Sequence, residues 1–180
     1  MVNPQDVLHF WFDETAPEQH FKNDAAFDAE IRARFGETHL AAAHGELAAW
    51  RDTPEGRLAE IIVLDQFSRN LFRDDARAFA TDGMALVLAQ EAIRAGVDCA
   101  TPLARLTFLY MPFMHSESRA IHVEAERLFR HPGLEDNYQF ELKHKAIIDR
   151  FGRYPHRNRV LGRASTPEER AFLERPGSSF

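Results

Sequence analysis

Apolar positions recur along the chain at intervals of three and four, the spacing that lines one face of an α-helix. Val7, Leu8, Trp11 and Phe12 follow Asn3-Pro4-Gln5-Asp6, where an N-cap residue precedes a first-turn proline. Phe27, Ile31 and Phe35 predict a second helix closing at Gly36, and Leu40, Ala43, Leu47 and Trp50 predict a third. Thr53-Pro54 opens a fourth, with Leu58, Ile61, Ile62 and Leu64 inward. An Ala-rich stretch from Phe79 to Ala95 ends at Gly96. Thr101-Pro102 starts a further helix through Leu103, Leu106 and Leu109, which Pro112 is expected to stop. Ser116 or Ser118 is placed to cap the next, running to Phe129. Asn137 is placed to cap the last long one, through Phe140, Ile147, Ile148 and Phe151 to Gly152. Thr166-Pro167-Glu168-Glu169 reads as a capping box for a short final helix.

No stretch alternates with period two, and no Asn-Gly or Asp-Gly hairpin signal occurs. The pattern predicts an all-α fold of eight or nine helices in antiparallel hairpins, as a bundle or a stack. It spans one domain over residues 1–176, with a loose tail at 177–180. Phe27, Phe35, Phe67, Phe79, Phe108, Phe140 and Phe151 fall on apolar stripes and are expected in the core.

Composition narrows the function. With 44% hydrophobic and 28% charged residues, the 180-residue chain is an ordinary globular sequence. One cysteine, Cys99, excludes an internal disulfide framework and cysteine-cluster metal sites. No apolar run approaches the roughly 20 residues that span a bilayer, and the first residues lack a signal core. A cytoplasmic protein with no membrane partner is expected. The net charge of -6 argues against a nucleic-acid partner. Within that acidic chain, Glu141 to Arg163 holds seven Lys or Arg against two acids.

Three segments depart from a plain apolar stripe with a solvated face. In Asp65-Gln66-Phe67-Ser68-Arg69-Asn70-Leu71-Phe72-Arg73, Asp65, Arg69 and Arg73 share a helical face and interleave with apolar residues. In Tyr110-Met111-Pro112-Phe113-Met114-His115-Ser116-Glu117, a helix break at Pro112 would set His115 and Glu117 at a helix N-terminus. The third, Phe151 to Arg163, packs Arg153, His156, Arg157, Asn158, Arg159 and Arg163 around a turn fixed by Gly152 and Pro155. Arginine forks match carboxylates and phosphates bidentately. The same arginines can instead cap the C-terminal carbonyls of neighbouring helices. Arg69-Asn70 and Arg157-Asn158 repeat one dipeptide; loops facing each other would form a two-sided anion clamp.

With the opening Val7-Leu8-His9-Phe10-Trp11-Phe12 and the closing Leu161-Gly162-Arg163, these segments resemble a bacterial family known as domain of unknown function 924. The resemblance spans nearly the whole chain and departs from the family pattern at Ser68, where proline is usual. It implies a fold similar to tetratricopeptide repeats and carries no activity, ligand or cofactor with it.

The residues themselves suggest a pocket for a small anionic ligand. Arg69, Asn70, Arg73, Arg153, Arg157, Asn158 and Arg163 would bind it, His156 and His115 would move a proton, and Glu117 or Asp65 would support the imidazole. The alternative is an interaction scaffold whose arginine-lined groove takes an acidic peptide or a C-terminal carboxylate. No nucleophile elbow, P-loop or dinucleotide glycine pattern is present. Glu141 with His144, and His122 with Glu126, have metal-ligand spacing on a helix but lack the second pair that a dinuclear site requires. No metal and no cofactor is therefore expected.

Overall fold

Asn3 begins the fold as its neighbours predict: its side chain accepts from the Gln5 and Asp6 N–H groups, and Asp6 returns a bond to the Asn3 N–H. The computed structural model describes residues 2–179 and contains only helices and turns among them. The chain forms α1 (Pro4–His9), α2 (Ala25–Ala43), α3 (Pro54–Ile62), α4 (Ser68–Leu71), α5 (Asp82–Arg94), α6 (Leu103–Met114), α7 (Arg119–Phe129), α8 (Glu135–Phe151) and α9 (Pro167–Leu173). A π-helical turn, Val63–Phe67, runs α3 into α4 without a break, and another, Phe10–Glu14, extends α1. None of these helices is long and apolar enough to cross a membrane.

Several expected boundaries move. Gly36 does not end a helix: α2 runs through it from Asp24, which caps the Ala26 and Phe27 N–H groups. Buried Phe35, Thr38, Ala41 and Ala42 continue the packing beyond it, and this outweighs the roughly 1 kcal/mol by which glycine disfavours a helix. Pro112 does not stop α6, which continues to Met114. Buried Met111, Phe113 and Met114 flank the proline and offset its lost backbone bond. The last long helix starts at Glu135, so Asn137 lies inside it. Leu40 and Phe140, expected inward, are 58% and 51% exposed. Of the tail expected over 177–180, Phe180 lies outside the described residues, and Ser178 is buried with its hydroxyl donating to Leu173 O.

The chain divides into two compact units. The first holds the described residues up to Arg73 together with Arg77–Pro112, and the second holds Asp74–Ala76 and everything from Phe113 onward. In the first, α3 packs against α1 and α5. Its centre is aromatic: the Phe35 ring lies 4.9 Å from both Phe10 and Phe67, and Trp11 meets Phe67 edge-on at 5.5 Å. The second unit is built on α7 and α8, with Ile147, Ile148 and Tyr154 buried against Phe151 and Phe172.

Thr53 caps α3 by accepting from the Gly56 N–H. A Cβ at residue 56 would lie 1.9 Å from Trp50 O, an atom of backbone that a rotamer change does not move. Gly56→Ala is expected to lower stability by about 2 kcal/mol, read as a fall in melting temperature of several degrees. A variant that melts with the parent would show that the turn before α3 yields freely.

Candidate functional site

In the second unit, α6 ends at Met114 and α7 begins at Arg119, leaving His115–Ser118 as a connecting turn. His115 and Glu117 are therefore not in a first helical turn, because α6 outlasts Pro112. Three successive carbonyls, from the last residue of α6 into this turn, each receive a side-chain donor. The Tyr154 hydroxyl donates to Met114 O at 2.5 Å, Arg157 Nη2 to His115 O at 3.0 Å, and His122 Nε2 to Ser116 O at 2.8 Å. Arg157 thus performs the capping role open to it. The motif around Pro112–Glu117 and the motif around Phe151–Arg163 form one interlocked cluster.

The Phe151–Arg163 segment leaves α8 through Gly152, whose φ of 69° is the left-handed conformation glycine adopts without strain. Pro155 then opens a single 3-10 turn, and Arg157 and Asn158 are buried. Arg163 donates to Glu117 through both terminal nitrogens, at 2.6 and 2.9 Å, and the Tyr154 N–H donates to the same carboxylate at 2.7 Å. Burial pushes the Glu117 carboxyl up, but the Arg163 fork, the Tyr154 N–H and the charges of Arg163 and Arg157 outweigh it and hold it below its usual value. Arg153 holds Glu169 in the same bidentate way, at 2.6 and 2.8 Å. Asn158 orients both pairs: its amide reaches Glu169 and Ser165, and its carbonyl accepts from Arg163 Nε.

Tyr154 is fully buried, with the His122, His144 and His156 rings 6.2, 5.8 and 5.5 Å from its own and the Arg157 guanidinium 4.7 Å above it. Behind it, His122 Nδ1 meets Glu141 Oε1 at 2.7 Å, with both side chains at 0% exposure. His122 Nε2 faces a carbonyl, which only accepts, so that nitrogen carries a proton. Burial raises the Glu141 carboxyl above its usual range against the opposing pull of His122, and its Oε2 has no hydrogen-bond partner. His144 bonds Phe140 O and is pushed down to about 3 by burial, so it stays neutral. His115 and His156 are half-buried, and the Nδ1 atom of His156 is itself buried.

The first unit carries the Asp65–Arg73 segment. The π-helical turn leaves two carbonyls that side chains satisfy: Leu64 O accepts from Ser68 and Thr81 hydroxyls, and Asp65 O from Arg69. Buried Asp65 lies 3.2 Å from Arg69 Nη1 and accepts from Gln66. Arg69 forks onto Asp82 at 3.0 and 3.1 Å, while Arg73 and Asn70 converge on Asp28. His39 Nε2 lies 2.7 Å from Ser68 Oγ, which also meets the Thr81 hydroxyl at 2.8 Å. Each Arg-Asn dipeptide is thus engaged by acids of its own unit.

Comparison with known proteins agrees with the motifs. Residues 7–177 match the family described as bacterial protein of unknown function (DUF924). The chain belongs to this family. A solved structure of a protein of unknown function from Agrobacterium tumefaciens is similar to it throughout. The two chains are 42% identical with a TM-score of 0.91, and the similarity covers 95% of this chain and 96% of that one. No curated protein matches.

Sequence reasoning about the DUF924 chain missed the buried centre of the second unit. In the sequence Glu141, His144 and His122 stand out only by metal-ligand spacing on a helix, whereas His122 pairs with Glu141 across two helices and not with Glu126. Glu126 pairs with Arg130. Among the described residues no three such side chains converge as metal ligands. The signal for Tyr154 was its place inside the Arg153–Asn158 motif, and for Glu169 its place in the capping box.

Proposed function

We propose that this protein binds a small anionic ligand in its second unit, where the His115–Glu117 turn meets the Arg153–Arg163 segment. Arg163 and the Tyr154 N–H supply the donors, Arg157 adds positive charge, Asn158 orients Arg163, and His115 and His156 supply the groups that accept or release a proton. The observation that carries this reading is that a carboxylate, that of Glu117, already sits there on an arginine fork and a backbone N–H, beside the charge of Arg157. Imidazoles beside such a seat are able to pass a proton to or from a bound ligand. On this reading Asp65, Arg69, Asn70 and Arg73 hold the π-helical turn of the first unit.

Thermal denaturation against phosphorylated and carboxylated metabolites tests this. A ligand at 100 times its dissociation constant adds about 2.7 kcal/mol, a shift of several degrees. The expected result is a shift in the parent and in Arg69→Ala that Arg157→Ala loses. No shift with any anion, or a shift that depends on Arg69 alone, would sink the reading. A tetratricopeptide-like scaffold that seats the carboxylate of an acidic peptide is a second reading, favoured by the same Glu117 geometry. It is insensitive to His156→Ala, whereas proton transfer is not.

A further inference from the structure

Glu117 and Glu169 each sit on an arginine fork, but in different settings. Glu169 is 2% exposed and accepts from Arg153, Asn158 and the Thr166 N–H that completes the α9 capping box, so its departure would undo the start of α9. Glu117 lies in the non-helical turn, and its side chain is 27% exposed. Its donors stay in place without it. Arg163 Nε is held by Asn158 Oδ1 at 2.9 Å and Arg163 Nη2 by Tyr154 O at 3.2 Å. The turn's own backbone is held separately, by Tyr154, Arg157 and His122 on the Met114, His115 and Ser116 carbonyls. The Glu117 side chain can therefore swing into solvent while the seat it leaves keeps its shape.

We infer that Glu117 is an internal occupant of a carboxylate-binding seat, and that an incoming small carboxylate displaces it by taking over the Arg163 fork and the Tyr154 N–H. The exchange is neutral in charge: one carboxylate leaves the buried edge for water as another arrives. Two coplanar oxygens reproduce the three bonds that Glu117 makes, which a tetrahedral phosphate matches less well. Glu117 then sets a threshold, since any ligand competes with a tethered carboxylate at high effective concentration. This inference rests on the anion-binding reading above and names its ligand class and its gate.

The test is titration of the parent, Glu117→Ala and Glu117→Ala/Arg163→Met with acetate, inorganic phosphate and chloride at matched ionic strength, read by melting temperature. Glu117→Ala is expected to show a saturable stabilisation by acetate with a midpoint at least tenfold below that of the parent. Phosphate should act more weakly, and the double variant should lose the response. Should Glu117→Ala fail to fold, Glu117→Gln keeps an acceptor for the Tyr154 N–H. The Arg163 Nε–H NMR resonance is then expected to move with acetate at lower concentration than in the parent. An emptied seat no more sensitive to acetate than the parent, or a response that survives loss of Arg163, overturns the inference. Phosphate outcompeting acetate overturns the carboxylate assignment. If the metabolite panel stabilises the parent while Glu117→Ala gains nothing, only the gate falls. If no anion stabilises either, the anion-binding reading falls with it.

Discussion

His122→Leu is expected to lower the stability of the protein by about 2–4 kcal/mol, because Glu141 and the Ser116 carbonyl both lose a hydrogen-bond partner away from water. Glu141 Oε1 would lose the His122 nitrogen that faces it, its Oε2 already lacks a partner, and both lie at 0% exposure. Ser116 O would lose its donor as well. Leucine fills much of the space, so the loss reports the polar partners more than a cavity. Glu141→Gln is the informative contrast. Glutamine keeps one group for His122 Nδ1 without a charge, and because burial already favours the neutral carboxyl, a loss of only about 1 kcal/mol is expected. Urea denaturation of both variants checks this. A His122→Leu loss below 1 kcal/mol would mean that the pair is solvated, and equal large losses would mean that Glu141 is needed as a charge.

The second large effect is on acid stability. The hydrogen bonds and charge of Arg153 hold the Glu169 carboxyl down to about 2, against 4.5 unperturbed, with the Thr166 N–H and Asn158 helping. The folded value is the lower of the two. The unfolded chain therefore binds the proton more readily, and stability falls as pH drops from 4.5 towards 2. A shift of this size corresponds to about 3 kcal/mol, which partial exposure of Arg153 reduces to about 2 kcal/mol. Glu117, also held below its usual value, acts in the same direction. Glu169→Gln is expected to be less stable than the parent by about 2 kcal/mol at pH 7, with the difference vanishing near pH 2. Denaturant midpoints at pH 7, 4.5 and 2.5 measure it. A difference that persists undiminished at pH 2.5 would assign the loss to packing.

The helical class, the caps at Asn3, Thr53 and Thr166, the closing Gly152 and the family motifs were all legible in the residues. Each depends on contacts within a few positions of the chain, where spacing and side-chain chemistry decide the outcome. The continuation of α2 through Gly36 and of α6 through Pro112 was not legible. There the local preference is against a helix by about 1–3 kcal/mol, and burial of residues on either side reverses it.

The candidate site divides along the same line. The sequence marked the three polar segments by their composition, because arginine, histidine and asparagine at that density between apolar residues are costly to leave without partners. It did not supply the partners. The pairing of Arg163 with Glu117, of Arg153 with Glu169 and of Tyr154 with Met114 O joins residues 46, 16 and 40 positions apart. His122 meets Glu141 across 19 positions. Composition determined that charge would be concentrated near the end of α8. Only the folded chain decided which acids neutralise it, Glu117 for Arg163 and Glu169 for Arg153. Ion pairs and buried hydrogen bonds are satisfied by whatever the packing brings within 3 Å, and distance along the chain does not encode that.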